Sequence, residues 1–296
     1  MKPLVSVIVA TRGRPHLVGR AVNSILAQTF KDFEIVLVDN NPPQNRVDHN
    51  HLGRGRHPWL GDSRLRLLAD DTPPNAAGAR NLGLEEARGD WVTYLDDDDT
   101  YHPLKLERQL AAANSSKLPL GVCGTVYYLP CRQRSRCRLV EELSGDDLLL
   151  YFLGTPTIFH RRAPEVRFNE TLNAGEDVYY FQRLLRFFAI CRVFHVPEAL
   201  VQIYQQPSGH VNLNALAVWR ACEATLRDFG TAYSEVARQI FRARARLRFC
   251  TLESGHYREI LTLCLALVRQ QGMCDWRLIL NCFLCKIPWL RRWLVH

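Results

Sequence analysis

The sequence of 296 residues has no apolar run of the roughly 18 uncharged residues that a membrane-spanning helix needs. It also lacks the composition of a disordered chain, a collagen or a coiled coil, because 47% of its residues are hydrophobic and 23% are charged. The first apolar stretch, residues 4–10, is short, and the TRGR that follows has no small-residue cleavage site. We therefore expect a buried strand rather than a signal peptide, and a cytoplasmic protein.

The ten cysteines lack the spacing of a zinc site. Cys282 and Cys285 form a lone C-x-x-C pair, with no second pair and no histidines at metal-ligand spacing nearby. Because no signal peptide is expected, disulfides are not expected either. We interpret the cysteines as free thiols that act as small buried hydrophobic residues.

Strand and helix patterns alternate along the chain, without an internal repeat. Apolar runs at 4–10, 34–39, 65–68 and 91–95 predict buried strands, with helices at 15–28 and 76–87 between them. Farther on, the pattern predicts a helix after Pro103, strands at 121–129, 157–160, 193–196 and 200–204, and a helix at 177–188. Two β-α-β units in succession predict an α/β fold with a mostly parallel sheet flanked by helices.

The net charge of +8 is concentrated near the end of the chain. From Leu213 onward there are 13 Lys or Arg against 6 Asp or Glu, so the first 212 residues are nearly neutral. The pattern from Leu213 onward is helical. We therefore predict a domain of residues 1–212 followed by a basic helical region of residues 213–296.

Polar residues follow the predicted parallel strands: Thr11, Asp39 and the run Asp96–Asp99. In such sheets, ligands bind outside the carboxyl ends of the strands. Four adjacent carboxylates repel one another unless a cation joins them, and Mg²⁺ or Mn²⁺ prefers oxygen ligands completed by water and phosphate. A solvated acidic turn before the next helix is the alternative. The position directly after a buried strand favours a metal–phosphate site.

The other candidate residues keep two interpretations each on local sequence. Arg80 lies in a helix of small residues and either pairs with phosphate or the aspartates, or is exposed. Asp39 either binds a base or ribose, or begins a turn. Glu176 and Asp177 open a helix, where acids suit the helix dipole, or they include a general base. His210 is either a metal ligand or an exposed loop histidine.

Four segments occur in an order that resembles the family 2 glycosyltransferases, which are inverting enzymes of the GT-A fold. They are residues 5–40, 75–99 with an acidic run like the family's D-x-D motif, 100–110, and 168–185 with Glu-Asp. The resemblance covers roughly residues 4–188. It implies a GT-A catalytic domain over 1–212, with a nucleotide-sugar-binding half at about 1–100 and an acceptor-side half at about 101–212.

The resemblance also implies roles for individual residues. The expected nucleotide-sugar contacts are Thr11, Asp39, Arg80, Asp96 and Asp99. The expected metal ligand is Asp98. Asp177 is the expected catalytic base, beside the acceptor-side residue Glu176. His210 matches only loosely a histidine that some members place near the metal. Because Asp97 makes the run all-acidic, the register of the metal ligand stays open between Asp96/Asp98 and Asp97/Asp99.

The implied reaction is metal-dependent transfer of one sugar, with Mn²⁺ or Mg²⁺. The donor is a nucleotide-diphosphate sugar, a UDP-sugar first, and the acceptor is a hydroxyl of a saccharide or lipid-linked glycan. The Q-x-x-R-W motif of processive synthases is absent, which favours single transfer. There are two alternatives: another α/β nucleotide-binding enzyme, and a catalytically inactive member of the family. A Rossmann oxidoreductase, an example of the first, would need G-x-G-x-x-G after the first strand, where TRGRP stands instead.

The basic region carries two further alternatives. Arginines alternate with apolar residues at 242–248, and the last residues, 283–296, combine Trp, Leu and Arg. Such a segment either packs on the catalytic domain or lies on an anionic membrane surface, which would place the protein at the inner face of the membrane. Packing is favoured for 213–255, and both stay open for 283–296. No nucleic-acid recognition module is present, so no nucleic-acid partner is expected.

Overall fold

The computed structural model of the chain describes residues 2–14, 16–47, 58–129, 132–136, 141–150, 154–204 and 215–250. They belong to two compact units. The first is bounded by Met1–Ser144, Phe152–Thr171 and Glu176–His210, and the second by Gly145–Tyr151, Leu172–Gly175 and Val211–His296. Within the described ranges, no helix has the length and apolar character needed to cross a membrane. The predicted boundary near residue 212 stays a prediction.

The strands of the first unit form one mixed sheet. Their bounds are β1 Val5–Thr11, β2 Phe33–Asp39, β3 Leu65–Ala69, β4 Trp91–Asp96, β5 Thr100–Tyr101, β6 Leu120–Leu129, β7 Arg132–Arg136, β8 Glu142–Ser144, β9 Phe159–Arg161 and β10 Arg192–Tyr204. The strand order is β3-β2-β1-β4-β9-β6-β10-β5, with β7 beside β6 and β8 beside β10. The predicted α/β architecture is confirmed.

The helices overlap the predicted positions, with two differences. Their bounds are α1 Val18–Leu26, α2 Ala76–Glu86, α3 Lys105–Ser116, α4 Asp147–Leu150, α5 Glu176–Phe187, α6 Ala215–Phe229 and α7 Glu235–Cys250. Helix α1 is shorter than predicted, and the short α4 was not predicted. In the second unit, α6 and α7 pack on each other, and Arg244 Nη1 donates to the Leu150 carbonyl at 2.7 Å. The predicted C-terminal helical region is thus present over 215–250, and residues 251–296 lie outside the described residues.

The parallel half of the sheet brings three strand ends to one edge. β1 pairs in parallel with β2 and with β4, so that Thr11 lies opposite Asp39 and Ala10 lies opposite Asp96. β1 and β2 are buried along nearly their whole length, which explains their continuous apolar sequence. The carboxyl ends of β1, β2 and β4 therefore form one edge, where the predicted polar residues meet.

The second half of the sheet is more antiparallel than predicted. β9 runs antiparallel to β4 and β6, and β5 and β8 run antiparallel to β10. The two strands predicted at 193–196 and 200–204 are one strand, β10, whose register with β6 shifts between Val196 and Val201. Pro197 and Glu198 interrupt the apolar pattern there without ending the strand.

A helix of small residues allows close packing behind the edge. A Cβ atom on Gly83 of α2 would lie 2.5 Å from Ile8 Cγ2, so only glycine permits this approach of α2 to β1. The Asn75 side chain caps the helix by accepting from Gly78 N at 3.1 Å. Arg80 lies on this closely packed helix, which places it toward the sheet edge.

Cys123, Cys191 and Cys222 are thiols that form no disulfide. Cys123 and Cys222 are buried, which fits the interpretation as small hydrophobic residues, whereas Cys191 is exposed. Cys282 and Cys285 lie outside the described residues.

Candidate active site

The acidic run forms a tight turn at the end of β4. Asp99 N donates to the Asp96 carbonyl at 3.1 Å, which closes the turn before β5. Asp97, Asp98 and Asp99 are buried, with 1%, 5% and 5% of their surface exposed, and Asp96 is half-buried. The run is therefore not a solvated surface turn, as the alternative interpretation proposed.

The last three aspartates of the turn are held by Thr11, Arg14 and the backbone of Tyr204. Thr11 Oγ1 donates to Asp97 Oδ2 at 2.7 Å, and Tyr204 N donates to Asp99 Oδ1 at 3.1 Å. Arg14 is ion-paired with Asp98 and, through Nη2 at 2.6 Å from Oδ1, with Asp97. These partners divide the turn: the middle two carboxylates share one cation, and the outer ones face elsewhere.

The turn strongly disfavours further negative charge. Burial raises the pKa of Asp97 to about 6, although the Arg14 guanidinium and the Thr11 hydroxyl act in the opposite direction. Burial, followed by the Asp96 and Asp98 carboxylates, raises the pKa of Asp99 well above its ordinary range. A cation that enters this turn would therefore relieve the repulsion and favour the ionised forms.

Arg80 joins the acidic turn to the start of α5. Its Nη2 donates to Asp96 Oδ1 at 2.6 Å, and its Nη1 donates to Glu176 Oε1 at 3.1 Å. The guanidinium is buried, and its central carbon lies 5.6 Å from the centre of the Phe168 ring. The two carboxylates outweigh burial and raise the pKa of Arg80 above its ordinary value. Of the two interpretations of Arg80, pairing with the aspartates is the correct one.

Asp177 lies at the start of α5 beside Glu176. Val178 N donates to Asp177 Oδ1 at 2.8 Å. A helix start favours the ionised carboxylate and does not itself raise the pKa of Asp177, but other causes outweigh it. Burial first, and the Glu176 carboxylate second, raise the pKa of Asp177 to about 7. A carboxyl group with such a pKa exchanges protons readily at neutral pH, as a general base must.

A buried polar network anchors α5 to the sheet. Tyr94 of β4 and Tyr180 of α5 place their hydroxyls 2.8 Å apart, and both lie 3.1–3.2 Å from His160 Nε2. Burial lowers the pKa of His160 to about 4, so the ring is neutral, with Nδ1 2.7 Å from the Arg161 carbonyl. Nδ1 then donates to that carbonyl, one tyrosine hydroxyl donates to Nε2, and the other tyrosine hydroxyl donates to the first. The network fixes the helix that carries Glu176 and Asp177.

Asp39 shapes the loop that follows β2. It is fully buried; Oδ1 accepts from Asn41 N at 3.1 Å and Asn41 Nδ2 at 2.7 Å, and Oδ2 accepts from Val47 N at 2.7 Å. This is the turn-forming role that the alternative interpretation gave it. Oδ2 keeps capacity for a second donor, so its predicted contact with a nucleotide base stays a prediction.

Sequence reasoning missed two residues of this edge, Arg14 and Arg20, and included Asp97 only in the alternative register of the metal ligand. Arg20 donates to the Asp98 carbonyl, and its guanidinium carbon lies 3.9 Å from the centre of the Tyr204 ring. The arginines of the TRGR segment directly after β1 were the available signal for Arg14. His210 lies outside the described residues, so its role as a metal ligand stays a prediction.

The donor set of the turn fits a hard divalent cation. Among the residues that the structure describes, no group of three or more His, Cys, Asp or Glu side chains is arranged to hold a metal. Mg²⁺ and Mn²⁺ need only one or two protein carboxylates when phosphate and water complete the shell. Asp97 Oδ1 is a buried oxygen that accepts no hydrogen bond of good geometry, although Arg14 lies beside it. Asp97 Oδ1 therefore keeps capacity for a cation, whereas Asp98 Oδ2 is paired with Arg14.

Residues 6–184 match the family model of glycosyl transferase family 2. The chain is 32% identical over 108 residues to the UDP-Glc:alpha-D-GlcNAc-diphosphoundecaprenol beta-1,3-glucosyltransferase WfgD of Escherichia coli, and the match covers 36% of this chain and 40% of that protein. The chain thus spans about two fifths of that relative's length.

Two solved structures share the fold at low sequence identity. Staphylococcus aureus TarS 1–349 in complex with UDP-GlcNAc has a TM-score of 0.62 and 16% identity, over 90% of this chain and 80% of that chain. The mannosyltransferase PcManGT of Pyrobaculum calidifontis in complex with GDP-Man and Mn²⁺ has a TM-score of 0.58 and 15% identity, over 97% and 87%. The predicted GT-A fold is confirmed.

Proposed function

The chain belongs to glycosyl transferase family 2, as its four sequence segments predicted, and from this premise we propose that it is an inverting, metal-dependent glycosyltransferase. It transfers one sugar from a nucleotide-diphosphate sugar, with a UDP-sugar as the first choice. The acceptor is a hydroxyl group of a saccharide or a lipid-linked glycan. The name of the Escherichia coli relative includes a UDP-sugar and a diphosphoundecaprenol acceptor, which supports both choices.

One arrangement carries this proposal: the acidic turn and the Asp177 carboxyl group are joined at the same sheet edge through Arg80. Arg80 bonds to Asp96 on one side and to Glu176, the neighbour of Asp177, on the other. A donor held at the turn is therefore next to a carboxyl group whose pKa is about 7. A simple binding surface needs neither feature.

In the proposed reaction, Asp177 accepts the proton of the acceptor hydroxyl. The hydroxyl oxygen forms a bond to the anomeric carbon from the face opposite the nucleotide diphosphate. The bond between the anomeric carbon and the diphosphate oxygen breaks, and its electron pair leaves with the diphosphate. One displacement of this kind inverts the configuration at the anomeric carbon, and the positioned base contributes a factor of about 10²–10⁴ to the rate.

The remaining residues orient the donor. Thr11 and Asp39 lie on the nucleotide side, Asp96 and Asp99 on the sugar side, and Arg80 keeps Asp96 and Glu176 in place. Asp98, with Asp97 beside it, would hold Mn²⁺ or Mg²⁺. When bound, such a metal neutralises charge on the departing diphosphate.

Nucleotide binding tests the proposed function directly. Ligands that bind only the folded state raise its unfolding free energy, by about 2.7 kcal/mol when their concentration is 100 times Kd. Thermal unfolding should be followed with UDP, GDP, UDP-sugars, GDP-mannose and NAD, each with and without Mn²⁺. We expect UDP and a UDP-sugar to raise the Tm in the presence of Mn²⁺. A shift with NAD alone, or with none of these nucleotides, would rule the proposal out.

A lipid-linked acceptor would give the C-terminal segment a purpose at a membrane. Residues 283–296 combine Trp and Leu with Arg, a composition suited to an anionic lipid surface. We expect the full chain to co-sediment with anionic liposomes and the chain truncated before Phe283 to do so much less, with donor hydrolysis nearly unchanged. Equal co-sedimentation would assign the segment to packing on the protein instead.

A further inference from the structure

Arg14 reaches from an exposed loop to two buried carboxylates. The loop follows β1 and turns at Gly13, whose φ of +75° lies in the left-handed region. The Arg14 side chain is 39% exposed, whereas the side chains of its partners Asp97 and Asp98 are 1% and 8% exposed. The guanidinium therefore lies between solvent and the middle of the acidic turn.

The contact neutralises the aspartates without completing their hydrogen bonds. Arg14 Nη2 lies 2.6 Å from Asp97 Oδ1, yet this oxygen accepts no hydrogen bond of good geometry. Arginine binds a single carboxylate best through two parallel hydrogen bonds, and here its two terminal nitrogens are divided between two residues. Adjacent buried carboxylates need a positive partner, and Arg14 supplies it.

We propose that Arg14 is a positioning residue that competes with the divalent cation for the Asp97–Asp98 pair. This inference rests on the proposed metal-dependent function. A guanidinium and a metal ion at the same carboxylates repel each other, so the metal alone is a poor replacement for Arg14. A nucleotide diphosphate changes the balance, because it brings oxygen ligands for the metal and negative charge for the released guanidinium. Metal and nucleotide therefore bind together.

The competition has a thermodynamic consequence that can be measured without turnover. Coupling between two ligands is reciprocal, so UDP raises the affinity for Mn²⁺ by the same factor by which Mn²⁺ raises the affinity for UDP. Removal of Arg14 removes a competitor of Mn²⁺ in the free protein but not in the UDP complex, where Arg14 has already left the aspartates. The coupling factor should therefore fall in an Arg14 variant.

Free Mn²⁺ measured by electron paramagnetic resonance provides the test. Titrations would use the full chain and its R14Q, R14K and R12Q variants, each with and without UDP. In R14Q we expect the affinity for Mn²⁺ alone to rise roughly 10- to 100-fold, and the coupling with UDP to fall by the same factor. R14K keeps the charge and should restore most of the weak binding. Arg12 bonds to the Pro74 carbonyl at 2.8 Å rather than to the aspartates, so R12Q should match the wild type.

The outcomes separate this inference from the proposed function. If wild-type protein binds Mn²⁺ with UDP and R14Q binds Mn²⁺ alone no more tightly than wild type, the competition is wrong and the proposed function stands. An equal gain in R12Q would also overturn it, because a general change of charge would then suffice. If no protein binds Mn²⁺ even with UDP, both proposals fail. Retained UDP binding and circular dichroism show that each variant is folded. If R14Q is not folded, R14M, which also removes the positive charge, takes its place in the same titrations.

Discussion

The Asp177→Asn variant is expected to transfer sugar two to four orders of magnitude more slowly, at roughly unchanged donor affinity. Asn keeps the size of the side chain but cannot accept the proton of the acceptor hydroxyl. Donor affinity should persist because the proposed donor contacts are made by other residues. The wild-type pH profile of kcat/KM should rise through an apparent pKa near 7, the value to which burial and Glu176 raise Asp177, and this limb should disappear in the variant.

Glu176→Gln is the matched control for this result. Glu176 lies beside Asp177, and its Oε1 accepts from Arg80 at 3.1 Å, so it acts on the base and on Arg80. Because its carboxylate raises the pKa of Asp177, its removal should shift the acidic limb to lower pH rather than abolish it, with a smaller loss of turnover. Near wild-type transfer by Asp177→Asn, or a more severe loss in Glu176→Gln, would show that the base is assigned to the wrong residue.

Asp98→Asn is expected to weaken Mn²⁺-dependent binding of UDP by about 100-fold or more, since even residues behind the metal ligands are worth 10- to 100-fold in affinity. Asn keeps the shape of the side chain but loses the charged oxygen and the ion pair with Arg14. Calorimetric titration of UDP with and without Mn²⁺ measures the effect. The variant should approach the affinity that the wild type shows without metal.

An exposed aspartate at the opposite edge provides the control for Asp98. Asp90 precedes β4 at the amino end of that strand and pairs with Lys2, so Asp90→Asn changes the net charge equally without touching the turn. We expect wild-type binding of UDP in this control. Equal affinity of Asp98→Asn and wild type in the presence of Mn²⁺ would remove Asp98 from the metal site and favour another aspartate of the run.

Much of the fold could be predicted from sequence because its central strands are buried on both faces. β1, β2 and β4 contain continuous apolar runs, and their predicted ends are within about one residue of those in the structure. β5 and β8 were missed, since two- and three-residue strands are defined by their partner in β10 rather than by a pattern of their own. β10 was divided in two because a long strand tolerates an irregularity that breaks the apolar pattern.

The site could be predicted only in part. Strand ends and the acidic run indicated where ligands bind, and the parallel register explains why Thr11, Asp39 and Asp96 meet. The pairing of Asp97 and Asp98 with Arg14 depends on how the loop after β1 folds back, which no local pattern specifies, so Arg14 was missed and the register of the metal ligand stayed open. The raised pKa of Asp177 depends on tertiary burial, which outweighs the helix start.

The stereochemistry of donor cleavage tests the central proposal most directly, and it requires no knowledge of the acceptor. UDP-glucose, UDP-galactose and UDP-GlcNAc, whose sugars are linked in the α configuration, would be incubated with the protein and Mn²⁺. Proton nuclear magnetic resonance then identifies the anomer that is released first, before mutarotation. A single displacement at the proposed site predicts that the β-anomer of one of these sugars appears first, with release of UDP. First release of the α-anomer would contradict an inverting glycosyltransferase.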